Sequence, residues 1–368
     1  MSVHRGVGSG PGIPGLVSVV IASYNRGYIV AKAIESVLAQ TYRNIEVLVA
    51  DDGSRDDTRT VVEAFGEPVR WVWQANEGLA GARNLGLRHA RGEFIAVLDS
   101  DDAWLPWKLE AQIPIMQRLP ELALVGSDMT AVDATGRVLE ERHLRTMYTA
   151  YQALSAESIM SEVGTLGQFW AAAPGEVASA PVRVGDLFPH LLHGSLIQPS
   201  TVVIRRSVLQ QIDGWDPASI GGEDYDFFMR LSAHGPMALL DVPTMLYRIG
   251  ASDQLTAPGK GVAFARAALR SVRGWKDISR GRVTVPDATF ERRVGDILAW
   301  LGEEELGAGD RASARAHLWQ AMRRRPRRRT GLLLVTAVLP GALLDLARRV
   351  RKGLRRAIAG RGQVAAHA

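Results

Sequence analysis

The amino-acid sequence predicts an α/β fold in which a mostly parallel central sheet has helices on both faces. Four short runs rich in β-branched residues are typical of buried strands, and they lie at residues 17–22, 45–50, 69–73 and 94–98. Two segments with helical periodicity, at residues 29–38 and 80–90, separate these runs. Because strand and helix alternate along the chain, we expect parallel strands that are covered on both faces.

The sequence after residue 104 predicts further helices and strands. Four elements are expected there: a helix at 105–119 that Pro114 should end or kink, strands at 122–126 and 200–205, and a helix from Glu223 to about Ala233. Residues 286–322 contain two helical segments that are broken at 307–310, a pattern similar to one helical-hairpin repeat.

The composition indicates a folded protein in a reducing environment. A chain of 368 residues with 46% hydrophobic residues can form one large domain and a smaller appendage. Since the chain has no cysteine, disulfides, thiolate metal sites and cysteine nucleophiles are excluded, and a cytoplasmic location is expected. Residues 1–15 are rich in Gly and Pro and lack the apolar core of a secretory signal, so they predict a flexible N-terminal tail.

Polar side chains follow three of the predicted strands. Residues 23–25, 51–54 and 99–102 come directly after the first, second and fourth strands. In open parallel sheets the ligand lies beyond the carboxyl ends of the strands. We therefore expect these three loops to converge on one binding edge.

The acidic loop at 99–102 is a candidate metal site. Asp99 and Asp101 stand two residues apart across a tight turn, where they can bind a hard divalent cation that also takes oxygens from a diphosphate. A solvated acidic turn, in which Asp102 caps the following helix, explains the same residues equally well.

Asp52 and the glycine-rich segment 78–84 are candidate nucleotide contacts. A carboxylate at Asp52 can accept a hydrogen bond from a base N–H, although a helix-capping loop is an alternative for these residues. Arg83 follows glycines that allow close backbone approach, so it can steady Asp52 or a phosphate. Plain helix packing is the alternative for this segment.

The acidic cluster at 223–226 is a candidate general base. A carboxylate here can remove the proton from an attacking hydroxyl, and Gly221 and Gly222 let the chain pass close to a ligand. The helix dipole alone also favours acids in a first turn.

Structural roles are expected for two histidines and four tryptophans. His190 and His193 have the spacing of metal ligands but no suitable third ligand nearby. Packing is also expected, rather than stacking on a sugar, for Trp104, Trp107, Trp170 and Trp215.

Taken in order, these stretches resemble the family 2 glycosyltransferases, which have the GT-A fold. The resemblance covers about residues 15–250 and weakens between residues 129 and 193. Its motifs are VSVVIASYN at 17–25, SVLAQTY at 36–42, IEVLVADDGSRDDT at 45–58, NEGLAGARNLG at 76–86, GEFIAVLDSDDAWLPWKL at 92–109, QPSTVVIR at 198–205 and GWDPASIGGEDYDFFMR at 214–230.

The resemblance implies inverting transfer from a nucleotide sugar to an acceptor hydroxyl, without a covalent nucleophile. Asp99 and Asp101 would be the family's DxD pair for Mg²⁺ or Mn²⁺, and Asp224 of the ED motif would be the general base, with Glu223 and Asp226 as competitors. The residues implied in nucleotide-sugar binding are Ala22, Tyr24, Asn25, Asp52, Arg83 and Ser100. The donor would be a UDP-, GDP- or dTDP-sugar, and the acceptor a carbohydrate or a lipid-linked molecule.

Four regions follow from this assignment: a tail at 1–15, a catalytic domain at 16–255, a helical extension at 256–325 and a basic, apolar tail at 326–368. Residues 311–368 hold 15 Lys and Arg against the single acid Asp345. The uncharged stretch 330–344 is shorter than the roughly twenty residues of a spanning helix, so we expect a peripheral anchor on an anionic, inner membrane surface. A helix packed on the catalytic domain is the alternative.

Other enzyme classes fit poorly. No glycine fingerprint of a dinucleotide-binding enzyme opens the first helix, no P-loop is present, and no base-reading motif predicts nucleic-acid binding. A catalytically inactive sugar-nucleotide or polyanion-binding protein of the same fold remains the rival hypothesis.

Overall fold

The computed structural model describes residues 6–148, 150–250, 260–278 and 285–339, and the chain divides into two compact units between Pro286 and Asp287. In these ranges the strands are β1 (Ile13–Ser23), β2 (Ile45–Asp51), β3 (Val69–Trp73), β4 (Gly92–Asp99), β5 (Ala103–Trp104), β6 (Leu124–Val132), β7 (Val138–Glu140), β8 (Ser161–Thr165), β9 (Pro181–Gly185), β10 (Val203–Arg205) and β11 (Met237–Arg248).

The helices of the first unit include long elements that cover the sheet and short ones in the connections. They are α1 (Val30–Leu38), α2 (Thr58–Glu63), α3 (Gly78–His89), α4 (Lys108–Arg118), α5 (Leu144–Met147), α6 (Ala150–Ala153), α7 (Ala156–Ile159), α8 (Leu166–Phe169), α9 (Gly175–Ala178), α10 (Phe188–Leu191), α11 (Arg206–Leu209), α12 (Glu223–Ser232) and α13 (Gly261–Ile278). The second unit contains α14 (Asp287–Gly307), α15 (Arg311–Arg324) and α16 (Arg328–Val338).

The first unit is built on one sheet with the order β3-β2-β1-β4-β10-β6-β11-β9-β8. The half from β3 to β4 is parallel throughout, which confirms the predicted parallel arrangement. Beyond it, β10 runs antiparallel to β4 and β6, so the sheet is mixed. In the register of β1, Ala22 pairs with both Ala50 and Asp99. The polar loops after β1, β2 and β4 therefore begin side by side at the same edge of the sheet.

Close packing fixes the helices on this sheet. The predicted apolar face of α1 is buried, with Ala33, Ile34 and Val37 fully inaccessible. On α3, a Cβ at Gly86 would lie 2.2 Å from a methyl group of Val20, so only glycine lets this helix lie so close to β1.

Several predicted boundaries differ in the structure. Pro114 lies inside α4 without ending it, because the buried face of this helix compensates for the hydrogen bond that proline cannot make. The strand predicted at 122–126 is the longer β6. The strand predicted at 200–205 is a 3₁₀ turn, Pro199–Thr201, followed by the short β10.

The N-terminal segment is also held more firmly than predicted. Val7 is buried, and the carbonyl oxygens of Gly8 and Gly10 accept hydrogen bonds from Arg206 and Gln210. Residues 6–15 are therefore not the flexible tail that the sequence predicts, because the side chains of Arg206 and Gln210 hydrogen-bond to backbone carbonyl groups in this segment. Residues 1–5 lie outside the described residues.

The helix α13 belongs to the first unit, so the division falls after Pro286 and not at the predicted residue 256. The indole of Trp275 on α13 donates to Asp226 of α12 at 3.1 Å. Its ring also meets Tyr225 edge to face, with centroids 4.9 Å apart. These contacts join α13 to the helix that carries the acidic cluster.

The second unit contains the helical hairpin that the sequence predicts. α14 and α15 are separated at 308–310, where the Asp310 side chain caps α15 by accepting from the Ser313 N–H. Leu333 and Leu334 of α16 pack against the cluster of Ala314, Leu318 and Ala337. Among the residues that the structure describes, no helix is long and apolar enough to cross a membrane.

Candidate active site

A cavity of about 570 Å³ opens at the carboxyl ends of β1, β2 and β4. The starts of α3 and α12, the turn after α5 and residue 264 of α13 complete its walls. Nine of the ten residues that the sequence analysis selects line this cavity: Ala22, Tyr24, Asp52, Arg83, Asp99, Ser100, Asp101, Glu223 and Asp224. The structure thus collects residues from both ends of the first unit.

Asn25 does not line the cavity. Its backbone is left-handed, with φ of 52°, and its side-chain oxygen accepts from the Arg55 N–H at 2.8 Å. Its own N–H donates to the Ser54 hydroxyl at 2.8 Å. Asn25 therefore ties the loop after β1 to the loop after β2, a use of asparagine that is common in turns.

The N-terminus of α3 holds Asp52. The carboxylate accepts from the backbone N–H groups of Glu77 at 2.9 Å and Gly78 at 2.7 Å, and from the Gln74 amide at 2.8 Å. Unpaired N–H groups at a helix start favour an anion. Arg83, expected to steady Asp52 or a phosphate, instead binds two other carboxylates.

Arg83 joins the acidic loop after β4 to the acidic cluster of α12. Its fully buried guanidinium donates to Oδ1 of Asp99 at 2.8 Å and, through a short contact, to Oδ1 of Asp224. Burial opposes the positive charge, but attraction by Asp224 and Asp99 raises the pKa of Arg83 above its usual value. Arg83 is therefore a fixed cation between two acids.

Asp224 has the electrostatics of a proton acceptor. The pKa of Asp224 is raised to about 6, because burial and the negative charges of Glu223 and Asp99 outweigh the opposing effects of Arg83 and the Trp215 indole. The indole N–H of Trp215 donates to Oδ1 of Asp224 at 3.0 Å. A carboxylate with this pKa can accept a proton near neutral pH.

Asp101 and Asp102 have different roles despite their adjacency. Asp101 lines the cavity, and burial and the negative charge of Asp99 raise its pKa, while Arg248 lowers it. Asp102 is buried and accepts from the Ser200 hydroxyl at 2.7 Å and the Arg248 N–H at 3.3 Å. The helix cap expected at Asp102 is not formed, because α4 begins after Trp107.

The Asp99 and Asp101 side chains provide two hard oxygen donors at the cavity. In the described ranges no three His, Cys, Asp or Glu side chains form a metal-binding group. A cation bound here would therefore depend on ligand oxygens as well. Burial, and after it the negative charge of Asp99, raises the pKa of Asp101, and a cation between the two acids would relieve their repulsion.

Known proteins resemble this chain in sequence and in fold. The family model described as Glycosyl transferase family 2 matches residues 18–169. Residues 18–169 therefore form a glycosyl transferase family 2 domain.

Relatives of this family cover parts of the chain. An uncharacterised glycosyltransferase of Rickettsia prowazekii is 29% identical over 215 residues, 58% of this chain and 58% of that protein. The Escherichia coli UDP-Glc:alpha-D-GlcNAc-diphosphoundecaprenol beta-1,3-glucosyltransferase WfgD is 50% identical over 104 residues, 27% of this chain and 41% of that protein. The chain spans less than two thirds of the length of these curated relatives.

The fold also matches that of a solved structure. The S. aureus protein TarS, residues 1–349, superposes with a TM-score of 0.55 at 17% identity, covering 85% of this chain and 82% of that chain. This similarity confirms the expected GT-A fold.

Within this family 2 site, the three competing acids of α12 are separated. Glu223 and Asp224 line the cavity. Asp226 does not, because its carboxylate accepts from Arg230 at 2.8 Å and from the Trp275 indole at 3.1 Å. Asp226 therefore fastens α12 to its surroundings.

The cavity also contains residues that sequence reasoning missed. They are Arg26, Met147, Tyr148, Ser195, Gln198, Tyr225, Tyr247 and Phe264. Met147 and Tyr148 belong to the stretch in which the family resemblance weakens, and Phe264 lies beyond the end of the resemblance. Gln198 and Tyr225 stand in the motifs at 198–205 and 214–230, but neither motif by itself assigns them to the site.

The aromatic and histidine predictions have simple outcomes. Trp104 and Trp215 are buried, and Trp107 stacks on Trp170 with centroids 6.0 Å apart, which confirms packing. In the part of the chain that the structure describes, His190 and His193 form no metal-binding group.

Proposed function

We propose that this protein is an inverting glycosyltransferase that moves a sugar from a nucleoside-diphosphate sugar to an acceptor hydroxyl. The observation that carries this proposal is the single cavity in which Asp52, the pair Asp99 and Asp101, and Asp224 occupy separate places. One carboxylate can bind the nucleotide, a pair can bind a cation, and one can accept a proton.

On the donor side, Asp52 would accept an N–H of the base, with Ala22 and Tyr24 beside it. Ser100 would contact the diphosphate. Asp99 and Asp101 would hold Mg²⁺ or Mn²⁺, which supplies positive charge for the departing diphosphate.

On the acceptor side, Asp224 would take the proton of the attacking hydroxyl. As the acceptor oxygen bonds to the anomeric carbon, the bond from that carbon to the diphosphate oxygen breaks on the opposite face. The proton stays on Asp224 and the nucleoside diphosphate leaves with the electron pair. General base catalysis of this kind typically contributes about 10²- to 10⁴-fold.

A UDP-sugar is the first donor to try. The WfgD and WfaP proteins of Escherichia coli carry UDP-Glc in their names, together with a diphosphoundecaprenol acceptor. GDP- and dTDP-sugars complete the donor panel, and carbohydrate and lipid-linked hydroxyls form the acceptor panel.

The test compares nucleoside diphosphate release by wild type, Asp224→Asn and Glu223→Gln, with Mg²⁺ or Mn²⁺ present or removed by chelation. We expect turnover that needs the cation, and a fall in kcat of about 10³-fold in Asp224→Asn with donor binding retained. Glu223→Gln should keep most of the activity. Equal turnover in wild type and Asp224→Asn would refute the base assignment, and donor binding without turnover would favour the inactive binder.

We also propose peripheral attachment to an anionic membrane through the second unit. Leu332, Val335 and Val338 form an exposed apolar stripe on α16. The arginines near it are less available than the sequence suggests, since Arg325 and Arg327 contact Asp296 and Arg329 contacts Glu303. The expected anchor beyond residue 339 lies outside the described residues.

Vesicle sedimentation tests this attachment. Leu332→Glu should weaken binding to vesicles of phosphatidylglycerol and phosphatidylcholine, because it places a carboxylate on the apolar stripe. Ala316→Glu, which adds the same charge to the exposed surface of α15, is the matched control. Equal sedimentation of both variants and wild type would contradict the proposal.

A further inference from the structure

We propose that Trp215 is a positioning residue that determines which oxygen of Asp224 meets the acceptor hydroxyl. The proposal rests on the function proposed above, in which Asp224 is the base. Trp215 is completely buried, so it acts through Asp224 and not on the substrate.

Both donors to the Asp224 carboxylate meet the same oxygen. The Trp215 indole N–H and a guanidinium N–H of Arg83 each donate to Oδ1. The carboxylate is about one third exposed and lines the cavity. Because Oδ1 is engaged twice, the proposal assigns Oδ2 as the oxygen that accepts the proton of the acceptor hydroxyl.

The hydrogen bond from Trp215 restricts the orientation of the Asp224 carboxylate more than the ion pair with Arg83 does alone. One ion pair leaves a carboxylate free to rotate about its Cβ–Cγ bond, whereas two donors from different directions on one oxygen fix its plane. Because the indole is neutral, it fixes this plane without adding another positive charge next to Asp224. Orientation of this kind affects the rate, since a reacting group must be held close to its productive geometry.

Trp215 is itself held rigidly. Its ring stacks on Phe227 with centroids 3.7 Å apart and planes 6° from parallel. The Asn84 side chain accepts a hydrogen bond from the backbone N–H of Trp215 and donates one to its backbone carbonyl oxygen, both at 2.8 Å. The adjacent residues Arg83 and Asn84 of α3 therefore control both donors, one directly and one through Trp215.

The experiment removes one N–H in each of two buried tryptophans. Trp215→Phe keeps a ring against Phe227 and loses the donor to Asp224. Trp275→Phe is the matched control, because its indole donates to Asp226, which lies outside the cavity lining. The measurements are UDP release from UDP-glucose with Mn²⁺, with water and with hydroxyl acceptors, and donor affinity by calorimetry.

We expect kcat to fall about tenfold in Trp215→Phe, which corresponds to about 1.4 kcal/mol, with donor affinity and acceptor KM within about twofold of wild type. Trp275→Phe should keep its kcat within about twofold. Equal kcat values in the two variants, or a loss confined to donor affinity, would overturn the proposal. If Trp215→Phe does not fold, Asn84→Ala decides, since it should lower kcat several-fold with donor affinity retained.

A measurement that does not depend on enzymatic turnover distinguishes failure of this inference from failure of the proposed function. In ¹⁵N-indole NMR spectra, Asp224→Asn should shift the Trp215 resonance, assigned by its loss in Trp215→Phe, and leave the Trp275 resonance in place. An unmoved Trp215 resonance overturns the positioning role. Absence of UDP release with every acceptor contradicts the proposed function instead.

Discussion

The two sides of the cavity are built in different ways. The donor edge, named for its proposed role and formed by the loops after β1, β2 and β4, follows from the parallel register of three neighbouring strands. The acceptor wall, also named for its proposed role, is lined by residues from 147–148 and 195–199 with parts of α12 and α13, which are distant in sequence. Arg83 and Asp224, whose contact joins the two sides, are 141 residues apart. Local motifs therefore specify the first side, and long-range side-chain bonds specify the second.

The helix α3 is the element that the two sides share. Its N-terminus binds Asp52 on the donor edge, while Arg83 binds Asp99 and Asp224. Substitution of Arg83 should therefore disturb both sides, whereas substitution of a residue that lies on one side should disturb that side alone. The predictions below test this distinction from the largest expected effect to the smallest.

Arg83→Ala should have the largest effect, because it removes the cation from two acids at once. Breaking a buried ion pair typically costs about 3–5 kcal/mol of unfolding free energy, and the partly exposed acids place the expected loss near the lower value. Donor affinity and kcat should both fall. Urea denaturation and UDP release measure these effects, with His89→Ala, an exposed position of the same helix, as the control. Comparable losses in the two variants would remove α3 from its linking role.

Asp52→Ala should affect the donor edge alone. Loss of a base contact should weaken binding of UDP by about tenfold, or about 1.4 kcal/mol, while kcat at saturating donor changes little. Calorimetry with UDP and steady-state kinetics measure the two quantities. Asp224→Asn is the converse variant, with affinity retained and kcat lost. The comparison fails if both variants lose affinity and kcat in the same proportion.

The same difference explains what could be predicted from the sequence. Asp52, Asp99 and Asp101 each follow a recognisable strand, so their place at the sheet edge could be predicted from the parallel pattern. The partners of Arg83 could not, because its two acids lie on elements whose relative position depends on the packing of the whole unit. Tyr148 lies in a stretch of short helices, where periodicity carries little information.

The arginine run of the second unit gives a similar lesson. The sequence alone predicts that these arginines bind lipid headgroups. In the structure Arg325 and Arg327 pair with Asp296, and Arg329 pairs with Glu303, both acids of α14. A run of like charges in sequence is thus partly neutralised by a neighbouring helix that the linear pattern does not reveal.

The pH dependence of kcat/KM should report the pKa of Asp224. A base must be unprotonated, so activity should be low in acid and rise with pH through about 6, the pKa of Asp224. Burial is the largest cause of this raised pKa and the charge of Glu223 contributes to it, so Glu223→Gln should move the acidic limb to lower pH. Initial rates between pH 4.5 and 8 at saturating cation measure the limb. A limb that moves upward in Glu223→Gln, or activity that vanishes in it, would contradict these roles.

Phe264→Ala should have the smallest effect and should be confined to the acceptor wall. Phe264 of α13 lies against the backbone of Gly221, which has φ of 74°, and a Cβ at this glycine would lie 1.8 Å from its ring. Truncating the ring widens the cavity next to Glu223 and Asp224, so acceptor KM should rise about threefold while UDP affinity stays unchanged. Leu269→Ala, a buried position of α13 outside the cavity lining, controls for loosening of the helix. If Leu269→Ala raises acceptor KM equally, the position of α13 and not the Phe264 ring shapes this wall.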